Sequence, residues 1–165
     1  TVTKTQMKLI GAVGMAAPMT GLPRDLREPH PSLAYSFIPY TMVKEIITGD
    51  VWARALLRRV EIEKSIDYIR SFLARLSTTE CSAPTLEGDI NLSPESLTVS
   101  LIEGWRGEIC HCAVTNQQGE IKHYKVKDPS VHNWMALALS LRDLEISDFP
   151  INNKSYNLSY CGHDL

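Results

Sequence analysis

Ile102-Glu103-Gly104-Trp105-Arg106-Gly107-Glu108 is the stretch on which the reading of this chain turns. Two glycines bracket a Trp–Arg pair, and side chains alternate on both sides of it. Leu97, Val99 and Leu101 alternate with Thr98 and Ser100 before it, and two further runs, Glu108–Thr115 and Glu120–Val126, follow it. Period-two alternation predicts strands: a half-buried one over Ser96–Ile102, then a hairpin across the loop Asn116–Gly119. Cys110 and Cys112 fall on one face of the first hairpin strand, with His111 on the other. Residues two apart on a strand are separated by about 6.6 Å along the chain, whereas two sulfurs on one tetrahedral zinc want about 3.8 Å. The pair therefore reads as small buried apolar residues.

Downstream, Ser130 is expected to cap a helix from Val131 to about Leu144, with Trp134, Leu137, Ala138 and Leu141 on its buried face. Asn152 and Asn153 make a turn, and Tyr156, Leu158 and Tyr160 alternate as a short final strand. Cys161 and His163 then crowd a terminus that would ordinarily fray.

Upstream, Asp50 follows Gly49 and can cap a helix running to Leu76, about 39 Å at 1.5 Å per residue. Its apolar positions are Val51, Ala55, Leu56, Ile62, Ile66, Ile69, Leu73 and Leu76, and Arg59/Glu63 and Asp67/Arg70 are spaced to pair on a solvated face. Trp52 and Leu57 lie off that stripe, so the apolar surface is wide enough for packing on more than one side. Ser77–Ser96 reads as a surface connection, and Cys81 within it has no role assigned. Gly11–Gly21 holds three glycines and small side chains. It suits a close approach to another backbone or to a buried cofactor, or a loop crossing a helix surface. His30 stands between Pro29 and Pro31, which hold Glu28 and His30 out of the α region. It is either a positioned proton carrier or subunit contact, or an exposed loop histidine held by one carboxylate.

Composition bounds the function. With 165 residues, 44% hydrophobic and 22% charged, the chain has material for a core. A net charge of −2 argues against a nucleic-acid face spread over the domain. No run approaches the ~18 apolar residues of a membrane span, and four cysteines are too few and too uneven for a secreted disulfide framework. A reducing, cytoplasmic setting is expected. A start at Thr1 in a polar lead suggests a piece of something longer. The fold class expected is α+β: loops and short helices over 1–49, a long helix over 50–76, a connection over 77–96, and hairpin, helix and tail over 97–165.

As an ordered set from Gly11 onward, several motifs resemble one superfamily. They are Asp25-Leu26-Arg27, His30-Pro31, Tyr35, Gly49-Asp50-Val51, the long Arg-rich helix, Glu103 with Arg106-Gly107-Glu108, Lys127-Asp128-Pro129-Ser130, His132-Asn133 and Ile146-Ser147-Asp148. That superfamily comprises the large subunits of membrane-bound nickel–iron hydrogenases, including the formate-hydrogenlyase type, and the quinone-site large subunit of respiratory complex I. The resemblance is to its C-terminal part. Arg106 matches the arginine that hydrogenases hold over the nickel–iron pocket, a role suited to a guanidinium that stays charged and offers several fixed donors; a carboxylate contact at a tight turn is the structural alternative. Glu103 and Glu108 flank it and are expected to orient it.

The resemblance also locates a departure. Hydrogenases place two cysteine ligands at the end of the chain in an Asp-Pro-Cys-x-x-Cys pattern. Here Asn157 to Leu165 puts Ser159 and Gly162 at those positions, with Cys161 one place off. Neither Ser nor Gly supplies a soft thiolate. Met15 stands where an arginine is usual, and Ser32 where a tyrosine is common.

The resemblance thus implies a complex I-like oxidoreductase subunit without the nickel site. It would pass electrons from a small iron–sulfur subunit to a quinone-like or other acceptor, beside membrane subunits. Arg106, His30 and His163 are the candidate catalytic residues, and Glu103, Arg106 and Ser159 the candidate cofactor contacts. No cofactor is expected on the isolated piece, which should be inactive; quinone or a nickel–iron centre would need the full complex. Two alternatives remain: a true hydrogenase in which Cys161 and His163 are substitute metal ligands, and a non-catalytic docking scaffold.

Overall fold

The computed structural model describes residues 1–31, 33–76 and 91–162. The connection expected over 77–96 therefore lies outside the described residues as far as position 90, together with Cys81, and so do Ser32 and His163.

Helix α1 (Lys4–Leu9) is held at its start by Thr3 and Gln6, each side chain bonding the other's backbone amide. Two 3₁₀ turns, Gly14–Ala16 and Pro18–Thr20, follow. Helix α2 (Val51–Leu76) begins where expected, with Asp50 Oδ1 accepting from the amide of Ala53 at 2.8 Å. Strands β1 (Leu97–Gly104), β2 (Gly107–Thr115) and β3 (Ile121–Lys127) form one antiparallel sheet in the order β1-β2-β3. The hairpin is thus one edge of a three-stranded meander whose other connection is the Gly104–Gly107 turn. Helices α3 (Ser130–Ser140) and α4 (Phe149–Tyr156) complete the α+β architecture.

The core gathers the N-terminal segment, the first two turns of α2, α3 and the end of α4. Met7, Ala12, Met19, Ala53, Leu57, Ala136, Leu137 and Tyr156 meet there, all nearly or wholly out of solvent. The sheet stands outside this core and is anchored to it at the Gly104–Gly107 turn.

Several expectations are corrected. The stripe Ile62, Ile66, Ile69, Leu73 and Leu76 on α2 is exposed, and the helix buries Ala53, Arg54 and Leu57 instead. A stripe of large side chains could have faced any partner; the small Ala53 is what lets the N-terminal segment approach the helix axis. The β1 face Leu97, Val99 and Leu101 is likewise exposed. Cys112 and Cys110 are paired with Val99 and Leu101 on that face, with His111 on the other as expected, but both cysteines are only half-buried. Ser130 opens α3 without capping it. Its amide donates to Asp128 Oδ1 at 2.7 Å, and α3 ends at Ser140. On α3 the buried residues are Ser130, Asn133, Ala136, Leu137 and Ser140, whereas Ala138 is exposed. The Asn152–Asn153 turn is replaced by α4: Pro150 sits in its first turn, where a missing N–H costs nothing, and Asn157 ends it in the left-handed conformation at φ 52°. Of the expected final strand, Tyr156 lies in α4, and Leu158 and Tyr160 follow it outside any strand.

Candidate functional site

The turn Gly104-Trp105-Arg106-Gly107 lies directly on the Gly-rich N-terminal segment. A Cβ on Gly14 would stand 2.2 Å from the carbonyl oxygen of Arg106, and one on Gly107 2.6 Å from the amide nitrogen of Gly14. Two backbones can come this close only where neither carries a side chain, which is one of the alternative readings that Gly11–Gly21 allows. Asn133 on α3 locks the neighbouring residue, its side-chain amide donating to Val13 O at 3.0 Å and accepting from Val13 N at 3.1 Å.

Arg106 and Trp105 leave this turn toward different spaces. Arg106 points to the C-terminal side, where its Nε donates to the carbonyl of Asn157 at 2.6 Å. Around it Met15, Arg54, Asn133, Ser155 and Tyr156 close in, leaving about 10 Å³. Arg54 is 1% exposed and bonds neutral groups: Ser155 Oγ at 2.8 Å, Asn152 Oδ1 at 2.6 Å, and the face of Tyr156 with the guanidinium carbon 4.0 Å from the ring centre. Burial holds its pKa below the ordinary arginine value, partly offset by Tyr156 and Asp50. Arg58, one turn along α2, is lowered by burial and then by Arg54 and Arg106, so three guanidiniums converge here. Burial sets Arg54 apart from the surface charges of α2, where Arg59–Glu63 and Arg70–Asp67 pair as expected, at 2.9 and 3.6 Å.

Trp105 and Glu103 border a cavity of about 210 Å³ on the other side of the turn, shared with Asp25, Arg27, Tyr40 and Glu61. Arg27 organises it. Its Nε and a terminal nitrogen grip both oxygens of Asp25 at 2.9 and 2.6 Å, and the other terminal nitrogen reaches Glu61 on α2 at 3.0 Å. The guanidinium lies 3.7 Å from the centre of the Tyr40 ring. Although burial alone would lower it, Asp25 and Glu61 hold Arg27 above its ordinary pKa. The Tyr40 hydroxyl donates to Glu61 and is raised by burial and by that bond. Glu103 accepts from the amide of Leu26 at 3.1 Å and is pushed up to about 7, first by burial, then by Asp25. Sequence alone does not single out Asp25, Arg27, Tyr40 and Glu61 as one cluster; the i,i+2 spacing of Asp25 and Arg27 is the signal it offers.

The other candidate residues fall apart from this centre. His30 is exposed, its amide bonded to Leu26 O at 2.9 Å, beside a separate hollow that Glu108 and Glu28 border. Glu103 and Glu108 are cross-strand partners, and Glu103 accepts from the backbone amide of Leu26. Ser159 is 3% exposed; its amide donates to Ser130 Oγ at 3.0 Å and its hydroxyl accepts from Gly162 N at 3.1 Å. Cys161 is exposed, with Sγ 3.6 Å from Ser159 Oγ. Where a thiolate-held bimetal centre calls for two sulfurs, Asn157–Gly162 offers one thiol and a hydroxyl already engaged with an amide. These donors do not fit such a centre. Among the described residues no group of three or more His, Cys, Asp or Glu is placed to hold a metal ion.

Residues 1–93 match the family described as the respiratory-chain NADH dehydrogenase 49 Kd subunit, and the chain belongs to that family. It is 30% identical over 141 residues to the carbon monoxide-induced hydrogenase of Rhodospirillum rubrum, covering 86% of this chain and 38% of that protein. It is 29% identical over 119 residues to one subunit of the NADH-quinone oxidoreductase of Thermosipho melanesiensis, covering 71% of this chain and 32% of that one. The same fold occurs in the membrane-bound sulfane sulfur reductase, an archaeal respiratory membrane complex, with a TM-score of 0.80 at 21% identity over 94% of this chain and 43% of that one. The chain thus spans less than half the length of these relatives. No helix among the described residues is long and apolar enough to cross a membrane.

Proposed function

We propose that this chain is part of the large subunit of a complex I-like membrane oxidoreductase that passes electrons from an iron–sulfur partner to a quinone-like acceptor without a nickel–iron centre. The observation that carries this reading is the donor set at Asn157–Gly162, one exposed thiol beside a committed serine hydroxyl, next to an arginine turn of hydrogenase type. A relative named for quinone reduction supports the acceptor class, and a fold shared with a respiratory membrane complex supports membrane subunits as partners. The subunit would then sit peripherally, on the cytoplasmic side.

In that role this chain's residues supply charge and shape. Arg106, fixed through Asn157, keeps a permanent positive charge at the turn. Arg27 holds two carboxylates in place in the adjoining cavity.

The test is made on the assembled complex: nickel content, together with turnover using a soluble quinone. Absence of nickel with quinone-dependent turnover is the expected result. Stoichiometric nickel would overturn the reading in favour of a true hydrogenase, with Cys161 and His163 as replacement ligands, a reading that the hydrogenase name of one relative favours.

A further inference from the structure

The cavity between the Gly104–Gly107 turn and α2 holds three carboxyl groups, and the structure treats one of them differently. Asp25 receives two guanidinium nitrogens of Arg27 and that residue's backbone amide at 3.0 Å. Glu61 receives the third guanidinium nitrogen and the Tyr40 hydroxyl. Both are therefore held in place by the same cation. Glu103 accepts instead from a backbone amide, that of Leu26. It faces Asp25 and Arg27 from the 22–31 loop and its cross-strand partner Glu108 from β2, with Glu61 across the cavity on α2. Arg27 is already spent on two of these anions, so a further negative charge on Glu103 meets repulsion and poor solvation. Carboxyls in environments that drive their ionisation apart take different roles, some as fixed charge and one as a proton store.

We propose that Glu103 is the proton-exchanging carboxyl of this cavity, delivering a proton during turnover, while Asp25 and Glu61 are pinned by Arg27. In the step the carboxyl O–H bond breaks, the proton passes to a cavity water or to the reduced acceptor, and the carboxylate left behind recovers a proton from water. Electrons enter from the iron–sulfur partner and do not pass through Glu103. Its raised pKa, about 7, places the exchange in the physiological range. Trp105 borders the same cavity. This assignment rests in part on the electron-transfer reading above, since delivery needs an acceptor; the titration itself does not.

Infrared difference spectra of the assembled complex across pH give the test. The wild type is expected to show a protonated-carboxyl band that fades as pH rises through about 7, and Glu103→Gln is expected to lose that band. The same variant should lose the corresponding limb of the pH–turnover profile, while Glu103→Asp keeps a limb at a shifted position. A wild type without the band, a band that persists in Glu103→Gln, or superimposable turnover profiles would overturn the proposal. If Glu103→Gln fails to assemble, an unmoved limb in Glu103→Asp overturns it equally. The two readings fail separately: quinone turnover without the band removes only the Glu103 assignment, and the band without quinone turnover removes only the acceptor assignment.

Discussion

The Nε of Arg106 donates to the carbonyl of Asn157 at 2.6 Å, across 51 positions of sequence. This bond ties the β1–β2 turn to the residue that ends α4 and starts the tail. Hydrogen bonds made by charged groups are worth about 1.5–3 kcal/mol. Arg106→Met is therefore expected to destabilise the chain by about that amount and to speed amide exchange over Asn157–Gly162 in particular. Exchange unchanged in that stretch would show that the tail is held by other contacts, such as Tyr160 against Trp134 at 5.1 Å between ring centres.

Gly14 and Gly162 give a matched pair. Both have positive φ, at 55° and 70°, so alanine at either costs about 1–2 kcal/mol of left-handed strain. Only Gly14 of the two also faces a backbone, with its hypothetical Cβ 2.2 Å from Arg106 O, whereas at Gly162 nothing among the described residues lies within 4 Å. Gly14→Ala is expected to cost about 4 kcal/mol or more and Gly162→Ala no more than the strain alone. Denaturant unfolding of the two variants checks the difference.

Arg27→Met should be among the most damaging substitutions on the polar cavity. It leaves Asp25, 6% exposed at the side chain, and Glu61, 17% exposed, without their shared cation. Removing one partner of a buried pair costs about 3–5 kcal/mol. A variant carrying Arg27→Met with Asp25→Asn should recover part of that loss, which a double-mutant cycle measures.

Glu103 gives a pH dependence with a definite sign. Its folded pKa is raised from 4.5 to about 7, so between those values the native state holds a proton that the unfolded chain has released. The contribution to stability is thus complete below about 4.5 and is lost as pH rises through about 7. Glu103→Gln removes this slope. Relative to wild type it should gain on the order of 3 kcal/mol on passing from acid to mildly alkaline pH, read from thermal or denaturant unfolding at each pH. Parallel stability curves for the two proteins would contradict the assignment.

The parts of this fold that are legible in the sequence are those whose signal is local. Asp50 marks the start of α2, alternation marks the strands, and the glycines of Gly11–Gly21 announce a backbone contact whose other side is Arg106–Gly107. What stays hidden depends on which surface meets which. The stripe Ile62 to Leu76 has the period of a core face and yet is exposed, because burial on α2 is decided by Ala53, Arg54 and Leu57. The end of the chain misleads for a related reason: Tyr156, Leu158 and Tyr160 alternate, but Tyr156 closes a helix that stops at Asn157, and Leu158 and Tyr160 beyond it join no strand. Arg106 is legible through its glycine bracket. The Arg27 cluster is not, since Tyr40 and Glu61 join Asp25 and Arg27 only through the tertiary fold.

Met15 borders both the tight space around Arg106 and the acidic cavity beyond the turn. A flexible, uncharged thioether thus lines the surroundings of the guanidiniums and of the carboxyls at once. Trimming that residue to alanine would enlarge both spaces together, so one substitution at a side chain without charge reaches the neighbourhoods of Arg106 and Glu103 in a single step.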